Sequence, residues 1–416
     1  MSRLVETTRP ATLPLRLPLL SLPRVIFANR VYWPSAAATA QLLTDLAEGL
    51  AARGWEVHVV AAGTGPDQCN GVTVHRTGGD AQHAGLVSQA RNYWQFLRRA
   101  RFQTVLLARP GDVVVLMTDP PMLGAAVTGV ATDRGAGVVH WIQDIYPEIV
   151  PAHVGAIATL PLIPFRRMRD QAWRAARCCV ALGADMAQLV AARGVPAGRL
   201  ALAPNRAPRE LAAVPAVAAV EARRVAWGLA DKFIVAYSGN LGRVHEFSAV
   251  LGAAERSKSR TDIVFLFIGR GPRFDEVRAA AQSRGLDNIR FLPPEPRENL
   301  AAALAAADAH LVTLKPAFAR LVYPSKLAGV LAAGRPVLFV GPPDGEISRL
   351  LTAEQCGAAF APADGAGLAA AVLAWQADPA RRAQQGQAAR AAYEKHFTFG
   401  AALAHWEEIL RRAAAP

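Results

Sequence analysis

The stretch Tyr323-Pro-Ser-Lys-Leu-Ala-Gly-Val-Leu-Ala-Ala-Gly-Arg-Pro336, running straight into the apolar Val337–Val340, decides how this chain is read. It spells a loop with a hydroxyl and an ammonium, a short helix of small residues, a glycine stop, a proline and a buried strand. A helix opening on Pro-Ser-Lys points free backbone N–H groups, the Ser325 hydroxyl and the Lys326 charge in one direction. That is the make-up of an anion site suited to phosphate. A second stretch, Tyr237-Ser-Gly-Asn-Leu-Gly242, follows the apolar strand Phe233–Ala236 and reads as another phosphate loop. Two such loops on one α/β scaffold predict a nucleoside-diphosphate ligand.

Outward from these loops, short apolar runs alternate with stretches of helical period. Strands are predicted at Val25–Ala28, Glu56–Ala61, Val72–His75, Asp112–Met117, Val138–Ile142, Cys178–Ala181 and Leu200–Ala203. Helices fall between them, among others at Ala38–Arg53, Gly85–Arg101, Met122–Arg134 and Asp185–Arg193. Pro204-Asn-Arg-Ala-Pro208 and the Ala/Pro/Val-rich segment after it break the rhythm. It restarts with strands at Phe233–Tyr237, Ile263–Ile268, Ile289–Phe291, His310–Thr313, Pro336–Val340 and Ala358–Phe360. Uninterrupted apolar runs between helices are the signature of parallel strands covered on both faces. The fold class is therefore α/β, with two doubly wound domains facing across a cleft.

At 416 residues the chain is longer than one hydrophobic core usually supports. The expected division is a surface extension or disordered segment at 1–22, an N-terminal domain at 23–205 and a C-terminal domain at 206–397. The last stretch, 398–416, is expected to be a helix packing back on the N-terminal domain. Residues 1–22 are leucine-rich after a basic start, but Pro14, Arg16 and Pro18 interrupt the apolar run, so they do not read as a signal peptide.

With 52% hydrophobic and 19% charged residues the composition is that of an ordinary globular protein. The net charge of +13 is spread over both halves and attracts anions: nucleotide sugars, nucleic acid or an acidic membrane face. Basic and aromatic residues do not interleave as base-stacking surfaces do, which argues against nucleic acid. Cys69, Cys178, Cys179 and Cys356 lack zinc-ligand spacing and read as reduced thiols.

Three segments of the second half resemble the nucleotide-sugar half of GT-B glycosyltransferases. They are Tyr-Ser-Gly-Asn-Leu-Gly-Arg-Val-His-Glu-Phe at 237–247, Phe-Leu-Phe-Ile-Gly-Arg-Gly-Pro at 265–272, and the 323–336 stretch. Trp-Ile-Gln-Asp-Ile-Tyr-Pro-Glu at 141–148 and Ala-Ala-Arg-Gly-Trp-Glu-Val-His-Val-Val at 51–60 are similar to the other half. The likeness is to family 4, in the bacterial polysaccharide-assembly branch typified by L-fucosamine transferases. It implies two Rossmann-like domains and retaining transfer of a hexosyl group from a nucleoside-diphosphate sugar to a hydroxyl, without metal or cofactor. The donor base, uridine or guanosine, stays open. The chain has no Asp-x-Asp pair to hold a cation against a diphosphate, so protein donors must stabilise the leaving group.

The resemblance distributes the roles. Arg243 and Lys326 are expected to stabilise the leaving diphosphate, with His245 a competitor of Arg243 for that task. Asp144, at the end of the His140-Trp-Ile-Gln run, is expected near the acceptor hydroxyl or the sugar, with a cap on the next helix as the alternative. Gly239, Asn240, Gly242, Gly269, Arg270, Ser325 and Phe291, the last opening a base-binding loop that runs to Glu295, are candidate donor contacts. Glu346 is another, or a helix-start acid. Ser35, Thr39 and Glu148 are candidates on the acceptor side. Two departures stand out: the family's Glu-x7-Glu falls here on Leu321 and Gly329, and the first loop has Ser-Ala-Ala-Ala where relatives have Gly-Gly.

Relatives in this branch use polyprenyl-diphosphate-linked acceptors. The basic amphipathic stretch 157–177, with a shorter one at 93–102, suits contact with anionic lipid or an ordinary domain surface. A cytoplasmic protein, peripheral on the inner face of the cytoplasmic membrane, is the corresponding expectation. Two rivals share the scaffold: a nucleotide-sugar 2-epimerase, and a non-catalytic transferase-like subunit that binds nucleotide sugar.

Overall fold

The computed structural model describes residues 23–79 and 85–415, so the expected extension at 1–22 lies outside it. The first sheet contains β1 Val25–Ala28, β2 Val57–Ala61, β3 Gln68–Cys69, β4 Val72–Arg76, β5 Val113–Leu116, β6 Gly137–Ile142, β7 Cys178–Ala181 and β8 Leu200–Leu202. Their order is β3-β4-β2-β1-β5-β6-β7-β8, parallel throughout except that β3 runs antiparallel to β4. The second sheet contains β9 Phe233–Asn240, β10 Ile263–Arg270, β11 Ile289–Leu292, β12 Ala309–Thr313, β13 Val337–Val340 and β14 Gly357–Phe360. It is ordered β11-β10-β9-β12-β13-β14 and is all parallel.

The central strands are buried along their whole length, β1, β5, β6 and β13 at every residue. Each fully buried Val, Ile, Leu or Phe contributes about 1.5–3 kcal/mol, so these strands fix the sheet order. In each sheet the winding reverses once: after β1 and β5 in the first, after β9 and β12 in the second. The strands' carboxyl ends part there and leave a crevice.

Three elements depart from the sequence expectation. Strand β3 was not foreseen, because two residues are too few to carry an alternation. Helix Leu86–Leu107 outruns its expected end at Arg101 by six residues. Most important for the site, Tyr237–Gly242 is only in its last two residues a loop. Strand β9 continues through Asn240, with Gly239 and Asn240 registered against Gly269 and Arg270 of β10, and the next helix begins only at Ser248.

The two halves touch directly. The Ile145 N–H donates to Leu321 O at 2.9 Å beside an antiparallel bridge between Asp144 and Val322. The imidazole of His153 lies against the Phe318 ring at 4.6 Å. The final helix, Phe399–Ala414, lies on the first sheet. Its Trp406 packs against Trp141 with ring centroids 4.7 Å apart, and its Glu407 accepts from Trp55 Nε1 at 3.0 Å and from Arg53 at 2.6 Å. At Gly137 a Cβ would lie 2.0 Å from the Ala413 carbonyl oxygen, so this helix needs a glycine beneath it.

Candidate active site

The reversal between β9 and β12 brings together His245, which follows β9, and Thr313, the last residue of β12. One ring nitrogen of the buried His245, Nδ1, lies 2.7 Å from Thr313 O. A carbonyl oxygen can only accept, so Nδ1 carries the hydrogen and Nε2 is left with a lone pair. That lone pair faces Lys326 Nζ at 3.1 Å, the ammonium donating. Burial, with the nearby Lys326 charge next, drops the His245 pKa to about 3, so the ring is neutral at physiological pH. Burial also brings the Lys326 pKa down to about 8.

Lys326 has no carboxylate partner among the described residues. Its ammonium also lies 5.1 Å from the centroid of the Tyr237 ring. The lysine stem crosses β9 at Gly239, φ +122°, where a Cβ would lie 2.9 Å from Lys326 Cε. Gly239 thus gives passage to a side chain. Gly269, φ +152°, answers a different need: a Cβ there would lie 2.0 Å from the Gly239 carbonyl oxygen, so it permits two strands to approach. Gly242 would admit a Cβ, its nearest neighbour being Asn240 Nδ2 at 3.4 Å.

The amide donors expected of Gly239–Gly242 are not all free. The N–H of Leu241 donates to Arg270 O at 2.8 Å, a consequence of β9 pairing onward with β10. The Asn240 carbonyl accepts from the Tyr237 hydroxyl at 2.9 Å. The Pro-Ser-Lys helix spans only Lys326–Ala332, and Ser325 at its start makes no side-chain cap and is exposed. Arg243 and Arg270 are both exposed and form no ion pair among the described residues. The charges of Lys315 and Arg243, after burial, lower the pKa of His153 on the facing half.

From the other half, Asp144 enters beside the Val322 bridge, its backbone N–H donating to Thr118 Oγ1 at 3.2 Å. Burial first, and repulsion from Asp119 second, lift its carboxyl to about 6. Asp119 itself pairs with Arg30 at 2.8 Å, across the β1–β5 reversal. Asp144 and Lys326 thus lie one in each half, Asp144 at the contact with Val322, and one has a raised and the other a lowered pKa. Such opposed perturbations are typical of groups that handle charge in a reaction.

Other candidates are engaged in holding the fold. The Glu148 carboxylate takes Arg169 at 2.7 and 2.9 Å and Arg193 at 3.3 Å, so it anchors helix Ile163–Ala175. The Phe291 ring stacks on Phe267 at 5.3 Å and meets Phe274 edge-on, inside the second domain's aromatic core. Glu295, in the same expected base-binding loop, accepts from Trp227 Nε1 at 3.0 Å and pairs with Arg223. The Ser35 hydroxyl accepts from the Ala37 N–H at 3.3 Å, and Thr39 lies half-buried in the first turn of helix Ala38–Ala52. Glu346 accepts from the Asp185 N–H across the domain boundary, and burial raises its pKa. Gly329 is buried among Leu211 and Leu304, so a family glutamate at that position has no counterpart side chain here.

Sequence reasoning missed the partners Thr313 and Asp119. Both lie at strand ends on either side of a reversal, a position that a strand-order prediction could have flagged.

Comparison with known proteins matches residues 38–206 to the glycosyl transferase 4-like domain and residues 220–392 to the glycosyl transferases group 1 family. The chain is 30% identical over 246 residues to a probable glycosyltransferase, WbjE, of Pseudomonas aeruginosa, covering 59% of this chain and 61% of that protein. It is 38% identical over 104 residues to the putative colanic acid biosynthesis glycosyl transferase WcaI of Escherichia coli K12, covering 25% of each. The matches thus span less than two thirds of either relative's length. Among solved structures, Anabaena Alr3699/HepE in complex with UDP and glucose superposes with a TM-score of 0.72 at 16% identity, over 94% of this chain and 99% of that one. The shared architecture is the GT-B fold.

Proposed function

We propose that this chain, whose residues 220–392 match the glycosyl transferases group 1 family, transfers a hexosyl group from a nucleoside-diphosphate sugar to a hydroxyl of a glycan acceptor in bacterial polysaccharide assembly. The observation that carries this reading is Lys326. It is an ammonium without a carboxylate partner among the described residues, parked on a neutral imidazole at the strand reversal where ligands of such sheets bind. A diphosphate supplies the missing counter-charge. The names of the relatives, WcaI for colanic acid and HepE with UDP and glucose, agree with a polysaccharide product and a uridine donor.

In the proposed reaction the sugar's anomeric carbon–oxygen bond to the diphosphate breaks and a bond to the acceptor oxygen forms on the same face. The acceptor's proton passes to a leaving-phosphate oxygen. Lys326, Arg243 and Arg270 offset the charge growing on the diphosphate, in the place a metal would otherwise take. Asp144, its pKa raised by burial and by Asp119, orients the acceptor hydroxyl or the departing sugar in this reading.

Saturation-transfer NMR with UDP- and GDP-sugars tests the donor site. Binding of one base class supports the reading, and no binding of any nucleoside diphosphate or its sugar sinks it. The empty Gly329 position favours a second reading, a subunit that binds donor without turning it over. Donor binding with no release of nucleotide, over a panel of lipid-linked glycans, would select that one.

A lipid-linked acceptor brings the enzyme to a membrane surface. No helix among the described residues is long and apolar enough to cross one. Helices Leu86–Leu107, Leu123–Asp133 and Ile163–Ala175 pack side by side. The first and last, with the turn before the last, expose Trp94, Phe102, Ile157, Leu160, Phe165 and Met168 among Arg98, Arg101, Arg166 and Arg167. Such a surface suits an anionic bilayer. Flotation with phosphatidylglycerol liposomes at low salt tests it, and an unbound protein would remove the membrane from the proposal.

A further inference from the structure

The imidazole of His245 is enclosed by neighbouring side chains and backbone. Tyr237 meets it edge-on at 5.7 Å, and Phe247 lies at 6.4 Å. Thr313 O takes Nδ1–H, and Lys326 takes the Nε2 lone pair. Arg273 donates to the His245 backbone carbonyl at 2.6 Å, and the charges facing the ring are Lys326, Arg273 and Lys315, all positive. The residue is buried, 6% exposed, so its ring has little surface left to offer a ligand.

We infer that His245 is a positioning residue: its ring, fixed in one tautomer by the Thr313 carbonyl, holds the Lys326 ammonium over Gly239 without neutralising it. The distinction is chemical. A carboxylate at this place would fix the lysine equally well but cancel the charge that an anionic ligand needs. A neutral nitrogen lone pair fixes the direction and leaves the full positive charge available. The Thr313 carbonyl is part of the device, because in the other tautomer Nε2 would carry the hydrogen, present an N–H to the ammonium and repel it. The inference rests on the anion-site reading of Lys326 and goes beyond it, by moving His245 from donor contact to support.

Two amide substitutions separate the two ends of the ring. In His245→Asn the amide nitrogen reproduces Nδ1–H toward Thr313 O, but the side chain is too short to reach Lys326. In His245→Gln the amide oxygen reaches the Nε2 position and can accept from the ammonium. With isotope-labelled lysine in the full-length protein, the Lys326 signal is assigned by its loss in Lys326→Arg and its titration is followed by NMR. His245→Asn is expected to lower the Lys326 midpoint by about half a pH unit or more, since the charged form loses an acceptor, and His245→Gln to leave it near the wild-type value.

Binding of pyrophosphate and of UDP is then measured at pH 7. His245→Asn is expected to weaken it about tenfold, His245→Gln about twofold or less, and the His245→Asn effect is expected to vanish in a Lys326→Ala background. An unmoved Lys326 titration in His245→Asn overturns the proposal. So does a binding loss that persists in the Lys326→Ala background, because His245 would then touch the ligand itself. If even the unaltered protein binds neither probe, the anion-site reading fails while the lysine titration still decides the positioning role.

Discussion

Asp185 and Glu346 cap each other's helices across the domain boundary. The Glu346 backbone N–H donates to Asp185 Oδ2 at 2.9 Å, and the Asp185 backbone N–H donates to Glu346 Oε2 at 3.2 Å. Arg349 adds a bond to Asp185 Oδ1 at 2.5 Å. A Cβ on Gly183 would lie 2.2 Å from Glu346 Oε2, so a larger residue there would displace the carboxylate. Each carboxylate completes the first turn of a helix belonging to the other half, at the positive end of its dipole. Glu346→Ala or Asp185→Ala alone is expected to cost about 1 kcal/mol, and the two losses should not add. Denaturant unfolding of the single and double variants measures this, and strict additivity would show that the caps act independently.

The pH dependence of donor binding follows from Lys326. Its pKa in the folded protein is about 8, against 10.5 ordinarily. Below pH 8 the ammonium is present for a diphosphate, and above it the proton leaves. UDP affinity is therefore expected to be flat from pH 6 to 7.5 and to fall above pH 8 by up to about tenfold per unit, a limb absent in Lys326→Ala. The stability effect has the opposite sense. The folded state sheds this proton first, so the cost of burying the charge is present below pH 8 and is relieved as pH rises toward 10.5. Calorimetric titration and thermal unfolding over pH 6–10 check both.

Asp144 carries the complementary prediction. Its carboxyl pKa is raised from 3.8 to about 6, so the folded state binds a proton that the unfolded chain has lost. The stability this confers is complete below pH 3.8 and disappears as pH climbs to 6; above 6 a buried charge remains. Asp144→Asn removes that charge and is expected to raise the unfolding free energy at pH 7.5 by about 1–3 kcal/mol, and to make little difference at pH 4. Sugar transfer is expected to fall at least tenfold in the same variant. A variant that is both less stable at pH 7.5 and fully active would contradict the assignment.

The glycines of β9 and β10 separate by their neighbours. Gly269→Ala forces a methyl group to 2.0 Å from Gly239 O at φ +152°, and should cost about 3 kcal/mol or prevent folding. Gly242→Ala meets nothing closer than 3.4 Å and has no positive φ, so its cost should stay within about 0.5–1 kcal/mol. Soluble yield and chemical denaturation of the two variants make the comparison.

The core of both sheets was legible because a strand covered on both faces needs apolar side chains at every position, and Val25–Ala28, Val113–Leu116 and Val337–Val340 consist of little else. The end of β9 was not. Ser238-Gly-Asn240 is polar and turn-like, and only its pairing with Gly269–Arg270, thirty residues on, keeps it extended. Lys326 and Asp144 could be singled out from their own short motifs. Their surroundings could not: the tautomer of His245 depends on Thr313, 68 residues away, and the raised pKa of Asp144 depends on Asp119 and on burial that only packing creates. Glu148 shows the converse, a carboxylate whose position after a site-like motif was readable while its engagement with Arg169 and Arg193 was not.

The helix Phe399–Ala414 belongs by sequence to the far end of the chain and by contact to the first sheet, through Trp406 on Trp141 and Ala413 over Gly137. A chimera that exchanges the second half of this protein for that of a homologue must therefore cut twice, near residue 206 and again near 398, and keep the native tail. With a single crossover, a foreign helix would have to fit the indole and the glycine it was never selected against.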